Sequence, residues 1–285
     1  LWAGYANRTL GENMCEAVID VGPAQPREVF LTRAQEHFSN AIEIGSAAGE
    51  TEIVTAARAG RAAVRVHLGD WSGAATDAGA VPTDFEFNLG YYDIGDRDQY
   101  NRIAHASGND PYKTHTVWGT VYQDYFTETE DARVSWVDTG LPGDGGVEGL
   151  GPVPFLKQLK YPTRAADITL SSGREMRLIE AEADLVGGDW EAAMTTINQL
   201  RTDAGVPTRD ATNSEEAWTF LKRERGVELW LEGRRLGDFY RWNASGTPGA
   251  LDPLETVGGD SYLKQQDLCF PIPDSEIETN PNLSK

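Results

Sequence analysis

Two stretches decide the fold: RAGRAAVRVHLGDWSGAATDAG at residues 58–79 and RLIEAEADLVGGDWEAAMTTIN at residues 177–198. At a constant offset, Arg58, Ala62, Gly69, Asp70, Trp71 and Ala74 recur as Arg177, Ala181, Gly188, Asp189, Trp190 and Ala193. Each copy reads as helix, tight turn, helix. The glycine suits the left-handed position that ends a helix, and the aspartate after it caps the next one. Small alanines let the two helices approach closely, and the tryptophan covers the end. Such a hairpin cannot bury its apolar face alone and must stack on neighbours, which is the logic of tetratricopeptide-like folds.

Periodicity extends the reading outward. Met176, Ile179, Ala183 and Val186 predict one apolar stripe before the second turn; Trp190, Ala193, Ile197 and Leu200 continue it after the turn. Phe30, Ala34, Phe38, Ala41 and Ile42 predict a helix over about 28–44. A capping-box pattern, Thr212 to Glu215, predicts one helix over about 215–236. Between the repeats the texture changes to aromatics, β-branched residues and turn formers, which predicts short strands and long loops, mobile over 139–154. The expected fold is mainly α: tetratricopeptide-like hairpins as a scaffold with an irregular, short-strand insert. Its divisions are a helical part at 1–82, an aromatic-rich insert at 83–165 and a C-terminal helical part at 166–285.

Composition narrows the function. The 285 residues carry 25 Lys and Arg against 45 Asp and Glu, a net charge of -20. That excess repels phosphate backbones and anionic lipid, so nucleic-acid binding and charge-driven membrane adhesion are poor readings. No apolar run approaches the roughly 20 residues of a bilayer span. The opening residues already show helical spacing in Leu1, Tyr5 and Leu10, without a Met, a basic region or a cleavage site. The chain therefore reads as starting within a fold, with any export signal or lipid anchor upstream. Cys15 and Cys269 would bridge in an exported protein and remain buried thiols in a cytosolic one; the sequence leaves both open.

The last third carries the most specific pattern. Glu224, Arg225, Glu228, Leu229, Glu232, Gly233, Arg235, Asp238 and Arg241 form one motif, and Pro271, Ile272, Pro273, Glu276, Asn280 and Pro281 form another. With the repeat at 177–198 before them and an echo in KQLKY at 157–161, they resemble the C-terminal half of the SusD/RagB family. The resemblance is good from about residue 157 onward. It implies an outer-membrane nutrient-binding lipoprotein on the cell surface, without catalysis or cofactor. Its implied partners are a TonB-dependent transporter of the SusC type and an oligosaccharide or other oligomeric nutrient. Membrane contact would come only through a lipid anchor outside these residues. The family's lipidated cysteine has no counterpart here, since a helix-like segment precedes Cys15.

Candidate sites follow from chemistry. Glu224, Glu228 and Glu232 at i+4 steps invite a glycosidase reading. Arg225 and Arg235 lie three residues from Glu228 and Glu232, however, which favours a structural ion-pair network reaching Asp238 and Arg241. Pro271, Pro273 and Asn280 are read as structural too. The insert's Tyr91, Tyr92, Tyr100, Trp118, Tyr122 and Trp136 are the ligand candidates, because sugar rings stack on aromatic planes while nearby Asp, Asn and Arg bind hydroxyls. Each ring alone is more readily explained as core filling. Asp93, Asp96 and Asp98 read as a solvated turn rather than an EF-hand, the four histidines make no metal motif, and the Gly-rich stretch at 143–151 lacks a phosphate-loop signature. A structural or assembly protein reusing the same scaffold, in a larger complex or filament, is the alternative from another class.

Overall fold

The structure is a computed structural model. It describes residues 1–107, 113–147, 151–250, 256–257, 260–261 and 268–283, with backbone alone at 106–107, 145–147, 256–257 and 260–261. Helix α1 (Trp2–Asn13) leads through a short ladder, β1 (Glu16–Ala17) with β2 (Gln25–Pro26), into α2 (Arg27–Ala48), α3 (Thr51–Leu68) and α4 (Trp71–Gly79). Strand β3 (Glu86–Leu89) opens the insert, which holds α5 (Val121–Thr129) and an antiparallel hairpin of β4 (Trp136–Val147) and β5 (Gly151–Gln158). Strand β6 (Ile168–Ser172) returns to pair antiparallel with β3. Helices α6 (Gly173–Gly187), α7 (Trp190–Asp203), α8 (Ser214–Glu228), α9 (Arg235–Ser245) and the short α10 (Asp274–Thr279) complete the chain.

Both repeats fold as predicted. Gly69 and Gly188 end α3 and α6 at φ 75° and 89°, where a side chain would be strained. Asp70 accepts from the Gly73 amide at 2.9 Å, and Asp189 from the Ala192 amide at 3.0 Å, capping α4 and α7. Helix α4 packs on α6, so the two hairpins stack. Nearby, the Phe38 ring fills space that a Cβ on Gly4 or Gly60 would occupy, so those glycines allow α1, α2 and α3 to close on one ring.

Three expectations about the helices are corrected. The stripe of α6 is not Met176, Ile179, Ala183 and Val186: Val186 is 47 % exposed, whereas Leu178, Ala181 and Leu185 are buried. The helix is central, giving Met176 and Ile179 to the α3–α4 side and Leu178, Ala181 and Leu185 to the α7–α8 side. Two burial faces blur a single period. The helix expected over 215–236 is broken: α8 ends at Glu228, and the chain turns through Leu231 (φ 61°) and Gly233 (φ 76°) before α9. That break turns Trp230 and Leu231 onto an apolar cluster with Tyr122 and sends Asp238 back to Arg225. The α8 cap is Asn213, one residue beyond the predicted Thr212, with Glu216 reaching back to the Thr212 amide. The stretch over 139–154 includes paired residues of the β4–β5 hairpin, with register shifts near Pro142; residues 148–150 lie outside the described residues.

Buried charge ties the two halves together. Arg8 on α1 is 1 % exposed, bonding Glu12 at 2.6 Å and Glu175 on α6 at 2.7 Å. Arg234, just before α9, joins Glu12 at 3.4 Å, and His67 of α3 lies 3.6 Å from the same carboxylate. Burial alone would raise the Glu12 carboxyl, but Arg8 and Arg234 hold it down at about 2. Burial drives His67 down to about 3, against the pull of Glu12 and Asp238 and assisted by Arg241 and Arg27. At the tail, Cys15 and Cys269 are bridged, Cys15 donates its amide to the Phe270 carbonyl at 2.9 Å, and Phe270 donates to the Asn13 carbonyl at 2.7 Å. Asn280, 3 % exposed, donates to the Gly22 carbonyl at 2.9 Å. Of the two alternatives that the sequence left open for these cysteines, the structure has them paired.

Acid should destabilise this protein over two overlapping pH windows. The unfolded chain binds a proton at His67 that the folded state refuses between pH 6.5 and about 3, and a proton at Glu12 between 4.5 and about 2. Both make stability fall as pH drops through those windows. Urea midpoints measured against pH should therefore decline below about 6.5; His67→Gln should flatten the limb between 6.5 and 4.5 and make the limb below 4.5, where Glu12 adds its own proton, shallower without abolishing it. Replacing both Cys15 and Cys269 by Ser should lower the unfolding free energy by about 2–4 kcal/mol in the same assay.

Candidate functional site

The six aromatic candidates fall into two groups. Trp118, Tyr122 and Trp136 meet in the cluster that also holds Val117, Tyr125, Leu156 and Trp230. Tyr122 is 6 % exposed, donates its hydroxyl to the Gly226 carbonyl at 3.1 Å and has the Arg235 guanidinium over its ring. Trp136 stands edge-on to Phe126 at 5.7 Å, with its indole N–H buried and unpaired. This group seats the hairpin on the α8–α9 turn.

The second group lies on the loop that follows β3. Tyr100 is 7 % exposed, edge-on to His105 at 5.1 Å and under the Arg164 guanidinium. Tyr91 is half-buried, and its amide donates to the Asp167 carboxylate at 3.2 Å. Burial pushes the Tyr91 hydroxyl up. Tyr92 is 59 % exposed, tied to the loop by its amide, which donates to the Gln99 carbonyl at 2.9 Å. Asn101, fully buried, fastens the loop to 164–166: its amide donates to the Arg164 carbonyl at 2.8 Å and its side chain to the Ala166 carbonyl at 2.7 Å. Exposed Asp93 faces Arg164 at 3.9 Å. The Asp93–Asp98 segment is a turn in which Asp96 accepts from the Asp98 amide at 3.0 Å. As ligand rings, Tyr100 and Tyr122 are therefore corrected to core residues. Sequence sees an aromatic, but burial depends on the non-local partners Arg164 and Trp230.

The charged residues of the first motif enter ion pairs or cation–ring contacts. Glu224 accepts from Arg133 at 2.7 Å and Arg201 at 2.8 Å; Glu228 accepts from Arg133 at 2.7 Å and Arg174 at 2.5 Å. Glu232 is not on the helix with them. It sits in the turn, paired with Lys160 at 2.7 Å, which accounts for the KQLKY echo, as does the Tyr161 hydroxyl on the Leu231 carbonyl at 3.4 Å. Arg225 bonds Asp238 at 2.9 Å, and Arg241 bonds Asp238 at 2.8 Å and Glu182 at 2.5 Å. Arg235 stacks over Phe239 at 4.5 Å. Pro273 precedes α10 as its N-cap, and Pro271 follows the bridged strand segment at Phe270. The expected neutralisation by Arg225 and Arg235 is thus replaced by Arg133, Arg174 and Lys160, distant in sequence.

Electrostatics separates the glutamates. Burial would raise Glu228, but Arg174 and Arg133 keep its carboxyl below the ordinary range. For Glu232 burial wins, and the carboxyl is raised despite Lys160. Neither faces an open cleft: their side chains are 9 % and 8 % exposed. An open groove of about 320 Å³ lies elsewhere, between the Thr83–Glu86 segment, Ser172 and Arg174 at the start of α6, and Asp203. Among the described residues, no group of three or more His, Cys, Asp or Glu is arranged to hold a metal, and no helix is long and apolar enough to cross a membrane. Glu228→Gln should cost about 3 kcal/mol in a denaturant titration, because two guanidiniums lose their shared anion.

The SusD family model matches residues 174–285. The fold is similar to a SusD superfamily protein from Bacteroides vulgatus at 17 % identity and TM-score 0.67, over 98 % of this chain and 74 % of that one. It is also similar to a SusD-like carbohydrate binding protein from Bacteroides vulgatus, at 15 % identity and TM-score 0.63 over 98 % and 74 %. A third, a SusD-like carbohydrate binding protein from Bacteroides fragilis, aligns at 15 % identity and TM-score 0.63 over 99 % and 78 %. No curated protein matches the sequence. At these identities the structural likeness establishes architecture alone, a SusD-type fold, and the similarity to the SusD family model is confined to residues 174–285.

Proposed function

We propose that this chain captures neutral oligosaccharides at the cell surface without chemical turnover and passes them to a TonB-dependent outer-membrane transporter of the SusC type, with a lipid anchor in the parent protein. Two of the similar structures, from Bacteroides vulgatus and Bacteroides fragilis, are SusD-like carbohydrate binding proteins. The observation that carries the reading here is Tyr92: an aromatic ring open to solvent on a loop fastened by buried Asn101, with Tyr91, Asp93, Arg164 and Asp167 around it. A ring face for sugar C–H groups beside carboxylate and guanidinium partners for hydroxyls is the combination that sugar capture needs. Partly exposed Trp118 and Trp136 offer a second, less open edge.

Binding without turnover is supported by the motif glutamates, which are buried behind cations rather than set across a cleft. The net charge of -20 favours neutral or cationic ligands over polyanions. Capture followed by release asks only for modest affinity.

Calorimetry against a panel of neutral polysaccharides and oligosaccharides should find a binder, and Tyr92→Ala should weaken it by about tenfold, whereas Tyr122→Phe should leave affinity unchanged. Binding of no glycan, or full affinity in Tyr92→Ala, would overturn the assignment.

A further inference from the structure

A small internal cavity of about 10 Å³ lies where α1, α3, α6, α8 and α9 converge. Its polar wall is built by Glu12, His67, Glu175, Arg225, Arg234 and Asp238, and Ala63, Val66 and Ile179 form the apolar side. That volume is about one solvent-sized sphere, the least that holds a water.

Two hydrogen-bond donors on the wall have no acceptor. Arg225 uses Nε and Nη2 on Asp238, at 2.9 and 3.1 Å, but its Nη1 is buried with no partner. Arg234 gives Nη2 to the Leu170 carbonyl at 2.6 Å and Nη1 to Glu12 at 3.4 Å, while its Nε is likewise buried and unpaired. A carboxylate oxygen of Glu175 lies 3.6 Å from that Nε, inside ion-pair range and outside hydrogen-bond reach. Buried guanidinium N–H groups are rarely left in this condition.

Charge selects the occupant. The lining guanidiniums of Arg8, Arg225 and Arg234 are matched by the carboxylates of Glu12, Glu175 and Asp238. An anion entering this space would meet three carboxylates, and a cation three guanidiniums. A neutral group that both accepts and donates suits both sides. We propose that the cavity is a binding site for one water molecule, which accepts from Arg225 Nη1 and Arg234 Nε and donates to the surrounding carboxylates. The water is then a component of the junction where the α8–α9 turn meets α1, and His67 closes the site from α3.

A crystal structure of the intact chain, at a resolution that shows ordered solvent, tests this. The expected result is a single peak within hydrogen-bond distance of both donors, with no anomalous signal after a bromide soak. Three results would overturn it: no peak, direct guanidinium–carboxylate bonds in its place, or a bromide signal that marks an anion site.

Discussion

The structure depends on one buried set of charges, Arg8 and Arg234 against Glu12 and Glu175. These residues come from the first helix, the middle helix and the turn before α9, so no local segment can satisfy them. Each ion is desolvated, and its attraction to its partners must offset that cost. An apolar cluster of equal volume could be as stable, but it would not fix which helix meets which. A misplaced α1 would leave Arg8 buried without an anion. The hub therefore acts as a register device, a use of buried polar groups for which specificity rather than stability is the gain.

Local chemistry was legible in the sequence, and assembly was not. The glycine and aspartate of each repeat set φ and cap within a few residues, so both helical hairpins could be read directly. Phe30, Ala34 and Phe38 gave α2 by period alone. The break after Glu228 was invisible because Leu231, not only Gly233, takes a left-handed φ, and a leucine there gives no warning. What holds it is tertiary: Trp230 and Leu231 are drawn into the Tyr122 cluster. In α6, burial on two faces replaced the expected stripe and made Val186 a surface residue.

The candidate site was half legible for the same reason. Aromatic-rich loops marked the region, but which ring faces water is decided by distant neighbours. Tyr100 and Tyr92 lie eight residues apart on one loop, yet one is under Arg164 and the other is open. Likewise Glu224, Glu228 and Glu232 announced an ion-pair network, while their cations Arg133, Arg174 and Lys160 had no signal linking them to it. The partners of a charge are a property of the fold, and spacing along one helix names only the nearest of them.

The clasp between Cys15 and Cys269, with Asn280 gripping Gly22, has a consequence for biosynthesis. The two cysteines are 254 residues apart, so the clasp on the end of α1 cannot close until Cys269 has been synthesised. Arg8 and Glu12 meet Glu175 and Arg234 before that point, but the thiol of Cys15 stays free until Cys269 arrives. Closure of the clasp therefore waits on Cys269, and an oxidant that acts before it is made finds the Cys15 thiol without its mate.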